Sequence, residues 1–520
     1  MKAKFFSLIK LHPFLATFIS ACLMSLGQIF PILSFLSWFG LVPFFSLFTL
    51  DISFLRKLQC TYLWGFIFYC WQAHWFLEIF PLDWAGFPGW PAYFLLIGGI
   101  LFLALIKSIS YLLLPIVCEI TKCKENQLVF MLPAIWISIE YTLGIGTFGY
   151  TFGQIAMSQY KNLPLIQSAN LIGALGVGGL IALCNAFILT ILLQNRPRIF
   201  VLSFVMLILS INPLYGIYCL AKDTPSIRSI EAGIVQGNFH IGNKLSAKTT
   251  YMREQYLILS KSLLEYHKVD LILWPETALP SLTNTEQESI LASFAKKENI
   301  YLFTGTTSRI STQRFNIIQG YNPTGQLFST YVKQKLVPLG EYLPYEKVIN
   351  NLFPFTKDLW ILQDGLHAGS KAGVINIGIG KLGELICYDS TFSELSRQAV
   401  IEGAELLLLG TDDSWFRYSV ATKQHLAQSV FRCIENGRDM IRAANTGISA
   451  FLSYNGEING ATGSMVEATT IGKVNLKNHQ TIFTRFGDLG LLLLAIFVIT
   501  IYASTNTLRR ISSKSIKRGR

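Results

Sequence analysis

The stretch GELICYDSTF, residues 383–392, runs an apolar segment straight into a cysteine and then into an acidic, hydroxyl-rich turn. A short apolar run bounded by turn residues reads as a buried strand, and Cys387 closes it. Taken alone, such a cysteine is a packing atom, because free Cys is among the most buried residue types. Similar runs surround it: IEAGIVQGN, VDLILWPET, IYLFTGTTS, FNIIQGYNP, GQLFSTYVKQKL, GVINIGIG, AELLLLGTDDS and MIRAANTGISAFLSY. NPTG at 322–325 forms a turn between two of them. Amphipathic stretches at 248–267, 285–298, 391–403 and 422–438 predict helices. Apolar strands alternating with helices specify an α/β domain whose sheets are covered by helices.

Outside that region the chain changes character. Its 520 residues are 51% hydrophobic and 14% charged, against roughly 25% charged in soluble domains. The apolar residues crowd into 11–220 and 486–505, and a bilayer crossing needs about 20 of them. Spans are predicted near 11–28, 31–50, 58–80, 91–118, 127–144, 164–194, 199–220 and 486–505. The expected architecture is a membrane α-helical bundle of about eight transmembrane helices with an α/β domain between the seventh and eighth. The boundaries fall at 1–220, 221–483 and 484–520. The N-terminal helix is expected to be retained, since a second span follows at once and no clear small-residue cleavage site precedes it.

Basic residues set the orientation. Lys2, Lys4 and Lys10, Arg56 and Lys57, Lys122 and Lys124, and Arg196 and Arg198 occupy alternate loops, and the tail carries Arg509, Arg510, Lys514, Lys517, Arg518 and Arg520. The opposite loops are nearly free of them. Under the positive-inside rule both termini are cytoplasmic and the α/β domain is exported. The formal net charge of +12 therefore sits largely beside anionic lipid, and with no basic stripe interleaved with aromatics no nucleic acid is expected as a partner. Of nine cysteines only Cys387 and Cys433 lie in the exported domain. An oxidising compartment permits their pairing, whereas a catalytic thiol must stay free. No Cys-x-x-Cys or His/Cys cluster has metal spacing and no nucleotide motif occurs, so no metal or cofactor is expected.

Ionisable residues gather where the predicted strands end, which is where α/β sheets collect ligands and catalysis. Glu276 closes LILWPE, Lys333 ends GQLFSTYVK, Cys387 closes GELIC, and Asp412 and Asp413 follow LLLLGT. Individually these are a turn residue, an edge lysine and a core thiol. Together they can do covalent chemistry. A thiol attacks as thiolate from a pKa of about 8.5, so it needs a base or a positive charge. Glu276, walled by Trp274 and Pro275, suits proton transfer. Lys333 can favour the thiolate and stabilise an oxyanion, and the Tyr388 backbone N–H is a second oxyanion donor. Lys335 is the rival lysine.

LILWPET, YVKQKLVPLGEYLP, GELICYDSTF and NTGIS resemble the nitrilase superfamily, with its Glu-Lys-Cys triad on an α-β-β-α sandwich. VQGN (235–238), LVPLGEYLP (336–344), DDSWF (412–416), QHL (424–426) and RAANTGIS (442–449) are similar to its membrane-embedded branch, the apolipoprotein N-acyltransferases. That resemblance covers nearly the whole chain. It implies Glu276 as general base, Lys333 as oxyanion stabiliser and Cys387 as nucleophile, supported by Glu341, Tyr388 and Asp389. It implies a ping-pong acyl transfer from a membrane phospholipid, through a Cys387 thioester, to the α-amine of the lipidated N-terminal cysteine of diacylglyceryl apolipoproteins. The implied setting is a monomer in the bacterial inner membrane with its catalytic domain in the periplasm. The alternative is a membrane-anchored nitrilase-type amidase that uses water as acceptor.

Both acyl-bearing substrates require a site open to lipid, and Trp415, Phe416 and Tyr418 can form its apolar lip, though core or surface aromatics would read the same. Glu140 and His74 are ionisable within or near spans. His425 reads as structural. The chain departs from the branch at Asp389, where Glu is frequent, at Leu245 beside Lys244, where a Trp is expected, and at Arg417, where Gly is common. An Arg usual after the fifth span is absent from IEYTLGIGTFGY.

Overall fold

The computed structural model describes residues 2–83, 86–193, 199–222, 224–240, 249–280, 285–352 and 365–518. The chain divides into two compact units, one formed by 1–74, 97–222 and 486–520, the other by 75–96 and 223–485. Residues 75–96, read from sequence as part of the apolar region, thus group with the α/β domain.

The first unit is helical. Among the described residues four helices are long and apolar enough to cross a membrane: Trp90–Thr121, Ala169–Leu193, Ile199–Ala221 and Ile482–Leu508. Lys4–Leu11 and Pro13–Ile29 make a fifth if taken as one span bent by 103°. Three predicted spans take other forms. Residues 31–50 fold as a 3-10 helix, Pro31–Trp38, and a short α-helix, Val42–Ser46, because Pro31, Gly40 and Pro43 interrupt any long ladder. Helix Phe54–Ala73 carries Arg56, Lys57, Gln59 and Gln72. Helix Leu128–Leu143 has 16 residues, about 24 Å at 1.5 Å per residue, short of a hydrocarbon core of about 30 Å. Glu140 is buried within it, accepting from Trp136 Nε1 at 3.2 Å and the Ile155 N–H at 2.8 Å. His74 pairs through Nδ1 with the Trp71 carbonyl.

The second unit holds twelve strands among its described residues: β1 Arg228–Gln236, β2 Leu271–Leu273, β3 Tyr301–Ile310, β4 Gln313–Tyr321, β5 Leu327–Val332, β6 Gly373–Asn376, β7 Lys381–Ile386, β8 Leu406–Thr411, β9 Met440–Ala444, β10 Ala450–Leu452, β11 Ile458–Asn459 and β12 Ala468–Leu476. They form two six-stranded sheets ordered β12-β1-β2-β3-β4-β5 and β11-β10-β9-β8-β7-β6. The central strands β1-β2-β3 and β7-β8-β9 are parallel, with antiparallel strands outside them. Ile230, Leu273 and Phe303 of one sheet meet Leu382, Ile386, Leu408 and Ile441 of the other in a shared core. Helices Thr249–Tyr266 and Thr285–Glu298 cover the first sheet, burying Tyr256, Leu291 and Phe294 against Trp274 and Leu302. Helices Ser393–Ile401 and Ala421–Asn436 lie against the second. This is the expected α-β-β-α sandwich. Strands β7, β8 and β9 run in register, Ile386 opposite Gly410 and Gly410 opposite Ala443, so their polar C-terminal residues emerge side by side.

One buried carboxyl belongs to this core rather than to the strand ends. Glu384 on β7 accepts from Ser329 Oγ at 2.9 Å, while its Oε1 has no hydrogen-bond partner among the described residues. Burial pushes its pKa up to about 8. An acid whose folded pKa lies above its unfolded value binds protons more tightly when folded, so stability falls as pH rises between about 4.5 and 8 and is level above that. Glu384→Gln is expected to lessen this slope: from pH 5.5 to 8 the apparent Tm of the variant should fall by several degrees less than that of the wild type, a few kcal/mol in order of magnitude, the remaining fall coming from other raised carboxyls such as Asp389. Parallel Tm–pH curves would refute it.

Candidate active site

The loops at one end of the sandwich bring the predicted residues together. After β2 the chain turns through Trp274 and Pro275 and places Glu276 in the interior, 4% exposed. Two glycines make room. A Cβ on Gly305 of β3 would stand 2.4 Å from the Pro275 carbonyl oxygen and 2.5 Å from Glu276 Cα, and one on Gly410 of β8 would stand 3.2 Å from the Glu276 nitrogen. The glutamate backbone therefore threads between the two sheets at the only side-chain size that admits it.

Lys333 follows β5, its N–H donating to the Asn316 carbonyl. Its ammonium, 1% exposed, donates to Glu276 Oε1 at 2.9 Å and to Glu341 Oε1 at 2.8 Å. Asn316 Nδ2 bridges the same two carboxylates at 2.6 and 3.2 Å. The Asp412 N–H donates to Glu276 Oε2 and the Val337 N–H to Glu341 Oε2. Glu341 thus lies in the same cluster. Asn316 carries no motif of its own in NIIQGYN, and no sequence signal marks it; the register of β4 sets it opposite Thr307 on β3. The rival Lys335 lies elsewhere: its Nζ sits 4.7 Å from the Phe392 ring centroid.

Cys387 leaves β7 into the 3-10 turn Cys387–Thr391 with φ of +45°. A left-handed non-glycine residue costs on the order of 1–2 kcal/mol, and such strain persists where the surroundings over-determine it. The thiol is half-buried, beside Thr411 and within the fields of Glu276 and Lys333. All nine cysteines are free, and Cys433 is fully buried in helix Ala421–Asn436.

The electrostatics assign states. Burial would lower Lys333, but Glu276 and Glu341 outweigh it and hold its pKa well above the ordinary range, so it is a fixed cation. Burial raises Glu276 against the opposing pull of Lys333, as a proton acceptor requires. Burial and then Glu276 push the Cys387 thiol far up despite Lys333. The Cys387 sulfur is therefore held toward the thiol form, while Lys333 pulls the other way, toward the thiolate the sequence reading has it favour.

The remaining residues have distinct places. Asp389 is fully buried and faces inward: it accepts from the Lys335 and Ile386 N–H groups at 2.7 and 3.1 Å and from Tyr331 Oη at 2.8 Å. Burial raises its pKa to about 6, opposed by Lys333. It anchors the turn to β5. Tyr388 is buried with its ring edge-on to Phe392 at 5.1 Å. Phe416 is buried rather than open, its ring 4.7 Å from Trp75, while Trp415 is half-buried and Tyr418 is 77% exposed. Arg417 has φ of +43° and donates from Nη1 to the Phe80 carbonyl at 2.8 Å, a backbone shape that accounts for glycine being frequent there in the branch the sequence resembles. Leu245 lies outside the described residues.

Comparison with known proteins adds two matched regions. Residues 20–187 match the family model for the apolipoprotein N-acyltransferase N-terminal domain, and residues 231–482 match that for carbon-nitrogen hydrolases. The apolipoprotein N-acyltransferase of Geobacter metallireducens is 29% identical over 400 residues, 73% of this chain and 75% of its own. That of Gloeobacter violaceus is 26% identical over 427 residues, covering 82% and 81%. That of Nostoc sp. is 26% identical over 474 residues, covering 87% and 92%.

Proposed function

The chain belongs to the apolipoprotein N-acyltransferases, and from that premise we propose how its residues carry out the acylation of apolipoproteins. The acyl donor is a membrane phospholipid. Glu276 takes the Cys387 proton as sulfur attacks the ester carbonyl. Lys333 Nζ and the Tyr388 N–H receive the developing oxyanion. The tetrahedral adduct collapses, the alkoxide leaves with the proton from Glu276, and a lysophospholipid departs from the Cys387 thioester. The α-amine of the diacylglyceryl cysteine then attacks the thioester, Glu276 accepts the ammonium proton, and the thiolate leaves and regains it. Division into two steps through a thioester needs no external energy source. Glu341 holds Lys333 in place.

The observation that carries this reading is the Glu276–Lys333–Glu341 cluster facing a strand-end thiol in a chain that also has helices apolar enough to cross a membrane. We further propose about eight membrane segments, the short and broken helices within 31–50, 54–73 and 128–143 included, a division near residues 221 and 484, both termini in the cytoplasm, the catalytic domain in the periplasm of an inner membrane, and a monomer. The alternating Lys and Arg loops support the orientation. Incubation of the purified protein with phospholipid and a diacylglyceryl-cysteine peptide should release lysophospholipid and N-acylated peptide in equal amounts. Ammonia released from small amides, with no lysophospholipid, would instead establish the amidase.

A further inference from the structure

Beneath the nucleophile turn lies a buried polar chain that the reaction above does not use. Arg442 on β9 donates through Nη2 to Asp413 Oδ2 at 2.8 Å. Asp413 Oδ1 faces Nδ1 of His425 at 2.8 Å. His425 Nε2 then lies 3.1 Å from Ser390 Oγ and 3.3 Å from the carbonyl oxygen of Cys387 itself. Ser390 Oγ donates to that carbonyl at 2.7 Å. His425, Asp413 and Arg442 are each at most 1% exposed.

The chain is built with care for its far end. Asp413 also accepts from Thr411 Oγ1 at 3.0 Å, and Arg442 is fixed by Ser429 Oγ and the Ile448 carbonyl. Gly447 makes the carboxylate's position available, since a Cβ there would stand 2.1 Å from Asp413 Oδ2. A carboxylate at Nδ1 keeps a hydrogen on that nitrogen and fixes the ring plane, so Nε2 meets the Cys387 carbonyl as a donor in the imidazolium form, with a hydrogen on each ring nitrogen and its charge matched by the buried Asp413 carboxylate. The Phe416 ring stands edge-on to the imidazole at 5.9 Å, backed by Trp75. A histidine that only filled space would need one partner; here the second nitrogen reaches the backbone of the one residue with a thiol at the strand ends.

We propose that His425 is a positioning residue for Cys387: oriented by Asp413 and Arg442, it presents Nε2 to the Cys387 carbonyl and holds the left-handed turn that aims the thiol between Glu276 and Lys333. This rests on Cys387 as nucleophile, the reading argued above. Histidine can be replaced so that one nitrogen at a time survives. Glutamine carries its amide nitrogen to about the reach of Nε2, whereas asparagine stops near Nδ1.

The test uses the full chain in detergent and the burst of p-nitrophenol from a fatty-acid p-nitrophenyl ester, which reports acylation of Cys387 whatever the natural donor. His425→Gln is expected to keep the burst rate within about fivefold of wild type. His425→Asn is expected to slow it about fiftyfold or more, with the ester KM within twofold. Asparagine equal to or better than glutamine, or wild-type bursts from both, would overturn the proposal. So would unfolding of His425→Asn and His425→Leu while His425→Gln folds, because that assigns the residue to stability. A wild-type burst without lysophospholipid release from phospholipid would reject the donor while leaving this comparison in force.

Discussion

Cys387→Ala is expected to abolish acyl transfer, on the order of 10⁶-fold as for loss of a covalent nucleophile elsewhere, and to leave no acyl mass on the protein after incubation with phospholipid. Cys433→Ala is expected to keep both the adduct and the activity. The contrast follows from where the two sulfurs of the α/β domain sit. Cys387 is half-buried at a strand end beside Thr411, in the fields of the Glu276–Lys333 pair. Cys433 is wholly enclosed in helix Ala421–Asn436, its thiol pushed far up by burial and then by Asp439. Removing it costs packing, on the order of 1 kcal/mol. Intact-mass spectrometry of the two variants decides the matter: an adduct that survives Cys387→Ala and vanishes in Cys433→Ala would reverse the assignment. A further consequence concerns thiol reagents. Because burial and Glu276 hold Cys387 toward the thiol form, it should react with iodoacetamide slowly for a nucleophilic cysteine.

How much of this was visible in the bare chain varies with the physics of each part. The central parallel strands were, because burial on both faces writes continuous apolar runs such as LILW and LLLLG. Strand β12, Ala468–Leu476, was not: it pairs only with β1 at the sheet's edge and alternates Thr, Gly and Lys with Ile and Val. Strands β9 and β10 were read as one run, since the turn between them, NTGIS, is fixed by contacts from afar, including Gln236 and Thr462 to Ser449. Glu276, Lys333 and Cys387 were legible as polar groups ending apolar strands, and Lys333 could be separated from Lys335 only by resemblance until coordinates placed one on two carboxylates and the other on Phe392. Asp413, His425 and Arg442 each stand in a quoted stretch, DDSWF, QHL and RAANTGIS, but their contact was invisible, because they come from a loop, a helix and a strand whose packing no local pattern encodes. The helical unit was legible in composition but not in its breaks. Gly173 takes non-helical angles inside an apolar run, and Gly487 does so at the start of the last one, next to Asp488.

Lys333→Met should damage the fold and the chemistry together, and the two effects can be separated. Its ammonium is the cation shared by two carboxylates in a dry cluster, 2.9 Å from Glu276 and 2.8 Å from Glu341. Breaking a buried ion pair by deleting one partner costs about 3–5 kcal/mol because the other charge is left unmatched; here two are left. At about 2–4 °C per kcal/mol for a domain of this size, apparent Tm should fall by roughly 10 °C. Loss of an oxyanion donor lowers turnover by about 10²–10³-fold on its own, and a Glu276 that keeps its proton cannot serve as base, so the combined loss should be larger. Adding Glu341→Gln to Lys333→Met removes one of the stranded charges, while Asn316 still donates to the other carboxylate. The double variant should regain several degrees of Tm and no activity. A Lys333→Met protein with wild-type Tm would mean that the cluster is not the matched, desolvated set its geometry describes. Recovery of turnover along with Tm would move Lys333 from the reaction to the scaffold.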